Sequence, residues 1–139
     1  MNRLTLYPMM VLLLALASWL PAAHAEASGV VIQVSDNDPE RWTLALNNAK
    51  NFQKDLGKNN VTIEIVAYGP GINMLKKDSK VAKRLEEAKA QGIAVLACEN
   101  TMRNKKIARG QMHTQIGYID SGVVEIMKKQ RAGWAYLRP

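Results

Sequence analysis

Ile93-Ala94-Val95-Leu96-Ala97-Cys98-Glu99-Asn100-Thr101-Met102 is the stretch on which the reading of this chain turns. Its consecutive apolar residues, with no polar alternation, predict a central strand covered on both faces, as in a parallel sheet flanked by helices. The apolar run stops at Cys98, the only cysteine in the sequence. Cys98 therefore falls at the carboxyl end of the strand. In open α/β sheets this is the edge where ligands bind, because loops converge on it and helix N-termini point at it.

Working outward, Val30–Ser35 reads as a first strand, followed by a helix capped by Asp38, with Pro39 in its first turn. Trp42, Ala45, Leu46, Ala49, Phe52 and Leu56 recur at helical spacing and predict one buried face. Val61–Ala67 is a second strand, closed by Tyr68-Gly69-Pro70-Gly71, whose glycines allow a tight turn and close approach of a ligand. A helical turn over Ile72–Lys77 and a longer helix with Val81, Leu85 and Ala88 on its inner face lead into the central strand. Its outer face, with Lys76, Lys77, Lys80, Lys83 and Arg84, reads as solvated. Beyond Cys98 come a short helix from Glu99, a weakly specified linker over Gly110–Thr114 and a strand over Gln115–Ile119. A helix with Val123, Ile126, Met127 and Gln130 on one face follows, and Trp134–Leu137 is the last strand. Alternating strands and helices predict one domain, a three-layer α/β/α sandwich with a mainly parallel sheet of about five strands, flavodoxin-like in general plan. Right-handed crossovers would bring Asn37, Gly69, Pro70, Gly71 and Cys98 to one rim.

The first 25 residues read as an export signal: Arg3, an apolar core over Met9–Leu20 and Ala23-His24-Ala25 as the cleavage pattern. That core falls short of the roughly 20 residues a spanning helix needs, so the expectation is a soluble, exported, periplasmic protein with no membrane anchor after cleavage. Cleavage would remove Arg3 and lower the net charge from +7 to +6, which favours anionic partners. No nucleic-acid-reading motif is present, and nucleic acid is not an expected partner. Nor does the chain carry a GxGxxG or Walker pattern. His113 is the only histidine beyond the leader, which excludes a multi-histidine metal site and argues against hydrolytic catalysis. No cofactor is expected. A lone cysteine in an oxidising compartment has no intrachain disulfide partner, so it is either inert and buried or available for covalent chemistry.

Asn47-Asn48-Ala49 with Asn51, Gly69-Pro70-Gly71, Gly92-Ile93, Cys98-x-Asn100-Thr101-Met102, and the ending Ser121-Gly122-Val123 through Gln130, Gly133-Trp134-Ala135-Tyr136 and Pro139 occur in this order along the chain. In these pieces the sequence resembles the DsrE/DsrF-like family of small α/β proteins associated with sulfur relay. The resemblance implies a single domain that tends to form homo-oligomers, with the strand-three cysteine as the position that carries persulfide sulfur. That role falls on Cys98, with Asn100 and Thr101 as its motif neighbours. Glu99 stands where a glycine is common.

Sulfur transfer requires a thiolate. A helix beginning at Glu99 or Asn100 would aim its amides at the sulfur, and Arg103, Lys105 and Lys106 add positive charge, while Glu99 opposes it unless it turns into solvent. The same groups would attract small anionic sulfur species such as thiosulfate, sulfite or polysulfide. The competing reading is a cysteine packed as a small hydrophobe. A different chemistry is Cu(I) binding by Cys98 and Met102, four residues apart on a helix, completed by His113 or Met74. A third is a non-catalytic anion-binding or assembly module built on the Gly69-Pro70-Gly71 rim.

Overall fold

The structure, a computed structural model, describes residues 29–139. The proposed export signal lies outside the described residues. Strands β1 (Gly29–Val34), β2 (Thr62–Ala67), β3 (Ala94–Cys98), β4 (Gly117–Ile119) and β5 (Ala135–Leu137) form one sheet in the order β4-β3-β2-β1-β5. Every neighbouring pair is parallel. Helices α1 (Pro39–Leu56), α2 (Ala82–Ala90), α3 (Glu99–Asn104) and α4 (Gly122–Arg131) alternate with the strands, and Gly69–Leu75 and Arg109–Gln111 form single 3-10 segments. The fold is the α/β sandwich that the alternation of elements predicts.

The strand order explains where the helices go. From β1 to β4 each new strand is added on the same side, and then the chain returns to the far side of β1. Right-handed crossovers put helices on one face for the outward steps and on the other for the return. The larger core lies on the α1 and α2 side, where Val30, Ile32, Ile63, Ile65 and Val95 pack against Trp42, Leu46, Leu75 and Leu85. A smaller one lies under α4, where Val31 and Val66 meet Ile126. The strand expected to be central, β3, lies second from the edge, with β2 in the middle, and because α4 alone covers this second face Leu96 is only half-buried there, less completely enclosed than the uninterrupted apolar run predicts.

Asp38 caps α1 as expected, its Oδ1 accepting from the amides of Glu40 and Arg41 at 2.9 and 3.4 Å. The predicted apolar face holds through Ala49 and half-buried Phe52, but Leu56 is exposed. An 18-residue helix is about 27 Å long and a six-residue strand about 20 Å, so the last turn of α1 overshoots the sheet. Arg84 also departs from the expected solvated face: it donates to Asn47 Oδ1 at 2.7 Å and to the Thr43 carbonyl at 3.4 Å, joining α2 to α1.

Gly110–Thr114 is not a loose linker. Met112 is buried and bridges antiparallel to Lys76, the His113 amide donates to Leu75 O at 2.8 Å, and the Lys77 amide to Gln111 O at 3.1 Å. The α4 face is rotated from the expected one. Gly122, Ile126 and, half-buried, Glu125 and Lys129 face the sheet, whereas Val123 is 56% and Met127 42% exposed. Two contacts fix that rotation. Gly122 lies against Tyr68 so closely that a Cβ would come within 3.0 Å of Tyr68 Cδ1, and Lys129 reaches down to Glu64 on β2. Among the described residues, no helix is long and apolar enough to cross a membrane.

Candidate functional site

Cys98 ends β3 and is also the N-cap residue of α3, with extended backbone angles of φ −75° and ψ 110°. A cap side chain normally presents oxygen to the amide two or three residues on. Here sulfur takes that place: the Thr101 amide donates to Cys98 Sγ at 3.5 Å. Along β3 side chains alternate, so Ala97 joins the larger core and Cys98 turns with Leu96 toward the α4 side. There it meets a second amide, that of Gly122 at the start of α4, which donates to Sγ at 3.3 Å. The thiol itself points to the Asp120 carbonyl at 3.9 Å. Two helices thus begin at one sulfur, and residue Cys98 is 3% exposed. Backbone N–H groups converging on an acceptor suit a negatively charged occupant, since they are fixed in place and carry the positive ends of the helix dipoles.

Neighbouring strands complete the ledge. Ala67 pairs with Ala97 and Cys98 with Ile119, so Tyr68, the next residue of β2's strand, stands beside Cys98 on the same face. Burial pushes the Tyr68 phenol above its ordinary range, reinforced by Tyr136 and offset in part by Arg138 and Gln33. The Asn100 amide donates to Asp120 O at 3.0 Å, closing the loop between β4 and α4 over the cap.

Of the rim expected from the sequence, the structure brings together Cys98, Thr101 and the glycine-proline-glycine turn. The Gly69 amide donates to Thr101 Oγ1 at 2.9 Å, and the Gly71 amide to Ser35 O at 3.1 Å, with Pro70 exposed between them. Asn100 is exposed and enters only through its backbone. Arg103 pairs with Asp120 at 3.0 Å. Asn37 belongs elsewhere: it accepts from Asn73 Nδ2 at 3.1 Å in a separate hollow of about 390 Å³ that also has Lys76 and Lys80 but not Cys98 in its walls. Glu99 does not swing freely into solvent. Arg109 holds its carboxylate, and that hydrogen bond and charge push the Arg109 pKa up. The site residues to which the sequence assigns no role at the sulfur are Gly122, Asp120 and Tyr68; Tyr68 shows there only as the start of the turn after the second strand and Gly122 only as part of the Ser121-Gly122-Val123 piece.

The copper arrangement is not assembled. Met102 packs into the larger core on the α1 side, opposite to the face that Cys98 Sγ takes, and Met74 is fully buried in the same cluster. His113 accepts from the Gln115 amide at Nδ1 and faces Glu86 at 3.7 Å from Nε2. Among the described residues, no group of three or more His, Cys, Asp or Glu side chains converges on a point that could hold a metal ion.

An all-parallel α/β domain with a capped cysteine at the carboxyl end of its third strand defines the class of protein. Within that class the chain belongs to the DsrE/DsrF-like family, whose model matches residues 29–139. A protein of unknown function from Methanobacterium thermoautotrophicum, MTH1491, is similar at 35% identity and a TM-score of 0.75, over 80% of this chain and 98% of that one. A conserved protein of unknown function from Bacteroides thetaiotaomicron, BT1422, shares the fold at 16% identity and a TM-score of 0.67, over 84% and 99% of the two chains. So does the ychN protein of E. coli, at 14% and 0.62, over 81% and 98%. Among curated proteins none matches significantly.

Proposed function

We propose that this protein takes up and carries sulfane sulfur as a persulfide on Cys98. The observation that carries the reading is the pair of amides, Thr101 and Gly122, that donate to Sγ from two different helices. They suit the thiolate that must attack, and they remain in place for the anionic persulfide that results. In that step the Cys98 thiolate attacks a terminal sulfur of a polysulfide. A new S–S bond forms, the adjacent S–S bond breaks, and the shortened polysulfide leaves with the electron pair. Burial of Cys98 restricts the donor to small anionic sulfur species, and Arg103, Lys105 and Lys106 on the adjoining helix and turn give them a positive approach. Homo-oligomerisation is part of the same reading, supported by the exposed Val123, Val124, Met127 and Tyr136 around the single helix of the second face.

Intact mass spectrometry of the exported fraction after exposure to polysulfide tests this. The expected result is added mass equal to sulfur, lost on reduction and absent from Cys98→Ser, on a chain that begins after Ala25. A bare Cys98 thiol in folded protein would overturn the carrier, and an uncleaved chain confined to the cytoplasm would overturn export.

A further inference from the structure

Beside the Cys98 ledge, α3 and the turn after it enclose a groove of about 440 Å³ lined by Glu99, Met102, Arg103, Lys106, Ile107 and Arg109. Its floor is apolar, made by buried Met102 and half-buried Ile107, and its rim is cationic. Arg103 and Arg109 are held by Asp120 and Glu99, whereas Lys106 on the rim and its chain neighbour Lys105, just outside it, are exposed and have no ion-pair partner among the described residues. The groove adjoins the cysteine through its walls, though Cys98 itself does not line it. Glu99 follows Cys98 in the chain, and Asp120, the partner of Arg103, supplies the carbonyl to which the thiol points.

We infer that this groove docks an acidic segment of a partner protein, an extended stretch in which carboxylates alternate with apolar side chains. The rim cations come from positions 103, 106 and 109, and two of them are anchored to different carboxylates, Asp120 and Glu99. A small anion would meet one or two of them; successive carboxylates meet each in turn. The floor adds a short-range requirement that a bare polyanion leaves unmet, because its apolar surface is covered only if the ligand brings an apolar group. Exchange of partners costs little here, since the Arg103 and Arg109 pairs lie at the surface, where solvent screens ion pairs. The purpose of the docking, bringing a sulfur acceptor to the protein, rests on the carrier reading; the docking itself does not.

Fluorescence anisotropy of a labelled peptide of alternating Glu and Leu, titrated with the purified protein, tests the proposal. Binding should weaken by about tenfold or more in Lys105→Glu combined with Lys106→Glu. It should weaken comparably when the peptide's leucines become serines, and also when salt rises from about 0.1 M to about 1 M, which shortens the screening length from about 10 Å to about 3 Å. Reversal of Lys80 and Lys83, which do not line the groove, should leave it unchanged, as should Cys98→Ser. Failure to bind, equal weakening by the Lys80/Lys83 reversal, equal binding of the serine peptide, or equal binding of polyphosphate or single-stranded DNA would each overturn the acidic-segment assignment. The peptide substitutions keep the test intact should the double lysine variant fold poorly. A Cys98 that takes up no sulfur in a protein that still binds the peptide would end the carrier reading and leave the groove's role standing.

Discussion

Cys98 does a serine's structural work with a different atom. A hydroxyl is the better acceptor for a cap, so capping α3 gives no reason of its own for sulfur at this position. The location of Cys98 at a strand end was legible because an apolar run that stops is a one-dimensional signal. Its second donor was not, because the Gly122 amide comes from 24 residues further along and a backbone N–H leaves no mark in side-chain chemistry. The same limit applies to Gly71, which reads in sequence as one glycine of a turn. In the structure a Cβ there would stand 2.3 Å from Val34 O and 2.9 Å from Ser35 N, both main-chain atoms that cannot move aside. Gly71→Ala should therefore cost about 2 kcal/mol or more in urea unfolding, through forced separation of β1 from the turn. A variant as stable as the parent would show that the turn yields.

Among the elements, α4 is the one whose orientation the hydrophobic pattern misjudged. Its apolar residues outnumber the places available on the sheet, and the choice between its faces is made by polar and steric contacts. Lys129 Nζ meets Glu64 Oε1 at 2.6 Å and Glu125 Oε1 at 3.5 Å and lies 4.3 Å from the centre of the Trp134 ring. Glu64 Oε2 is buried with no hydrogen-bond partner, so the cation is all that compensates this carboxylate's burial. Lys129→Met should destabilise by about 2–4 kcal/mol, and adding Glu64→Gln should recover most of the loss, because the uncompensated charge goes with it. Stability should also depend on alkaline pH. Burial opposes the charge of Lys129, but the hydrogen bond and charge of Glu64, aided by Glu125, outweigh it and raise the pKa above the ordinary 10.5. A raised folded-state pKa contributes stability that is complete below 10.5 and is lost as pH climbs through the higher folded value. The alkaline loss measured by thermal melts should shrink in Lys129→Met; an unchanged profile would place its origin elsewhere.

On the scale of the whole molecule, the sandwich was readable because five strands and their helices alternate with clear breaks, and each break carries turn or cap chemistry. The inequality of its two faces was not readable. It follows from strand order: a sheet that grows in one direction and returns once leaves a single helix for the return face. Val123, Met127 and Tyr136 stay exposed as a result. With Val123→Lys and Met127→Lys combined, sedimentation velocity should show smaller species than the parent chain at equal concentration. Identical sedimentation would remove this face from the proposed self-association.

Gly122 joins these scales through a kinetic consequence. The helix that covers the second face is also one of the two that close over the sulfur, so the thiol can be uncovered by lifting α4 alone, without disturbing the larger core beneath the other face. Access to Cys98 by that route would be governed by a sub-global opening, which costs less free energy than unfolding. On the carrier reading proposed above, the rate of sulfur uptake would follow how often that helix comes away from the sheet.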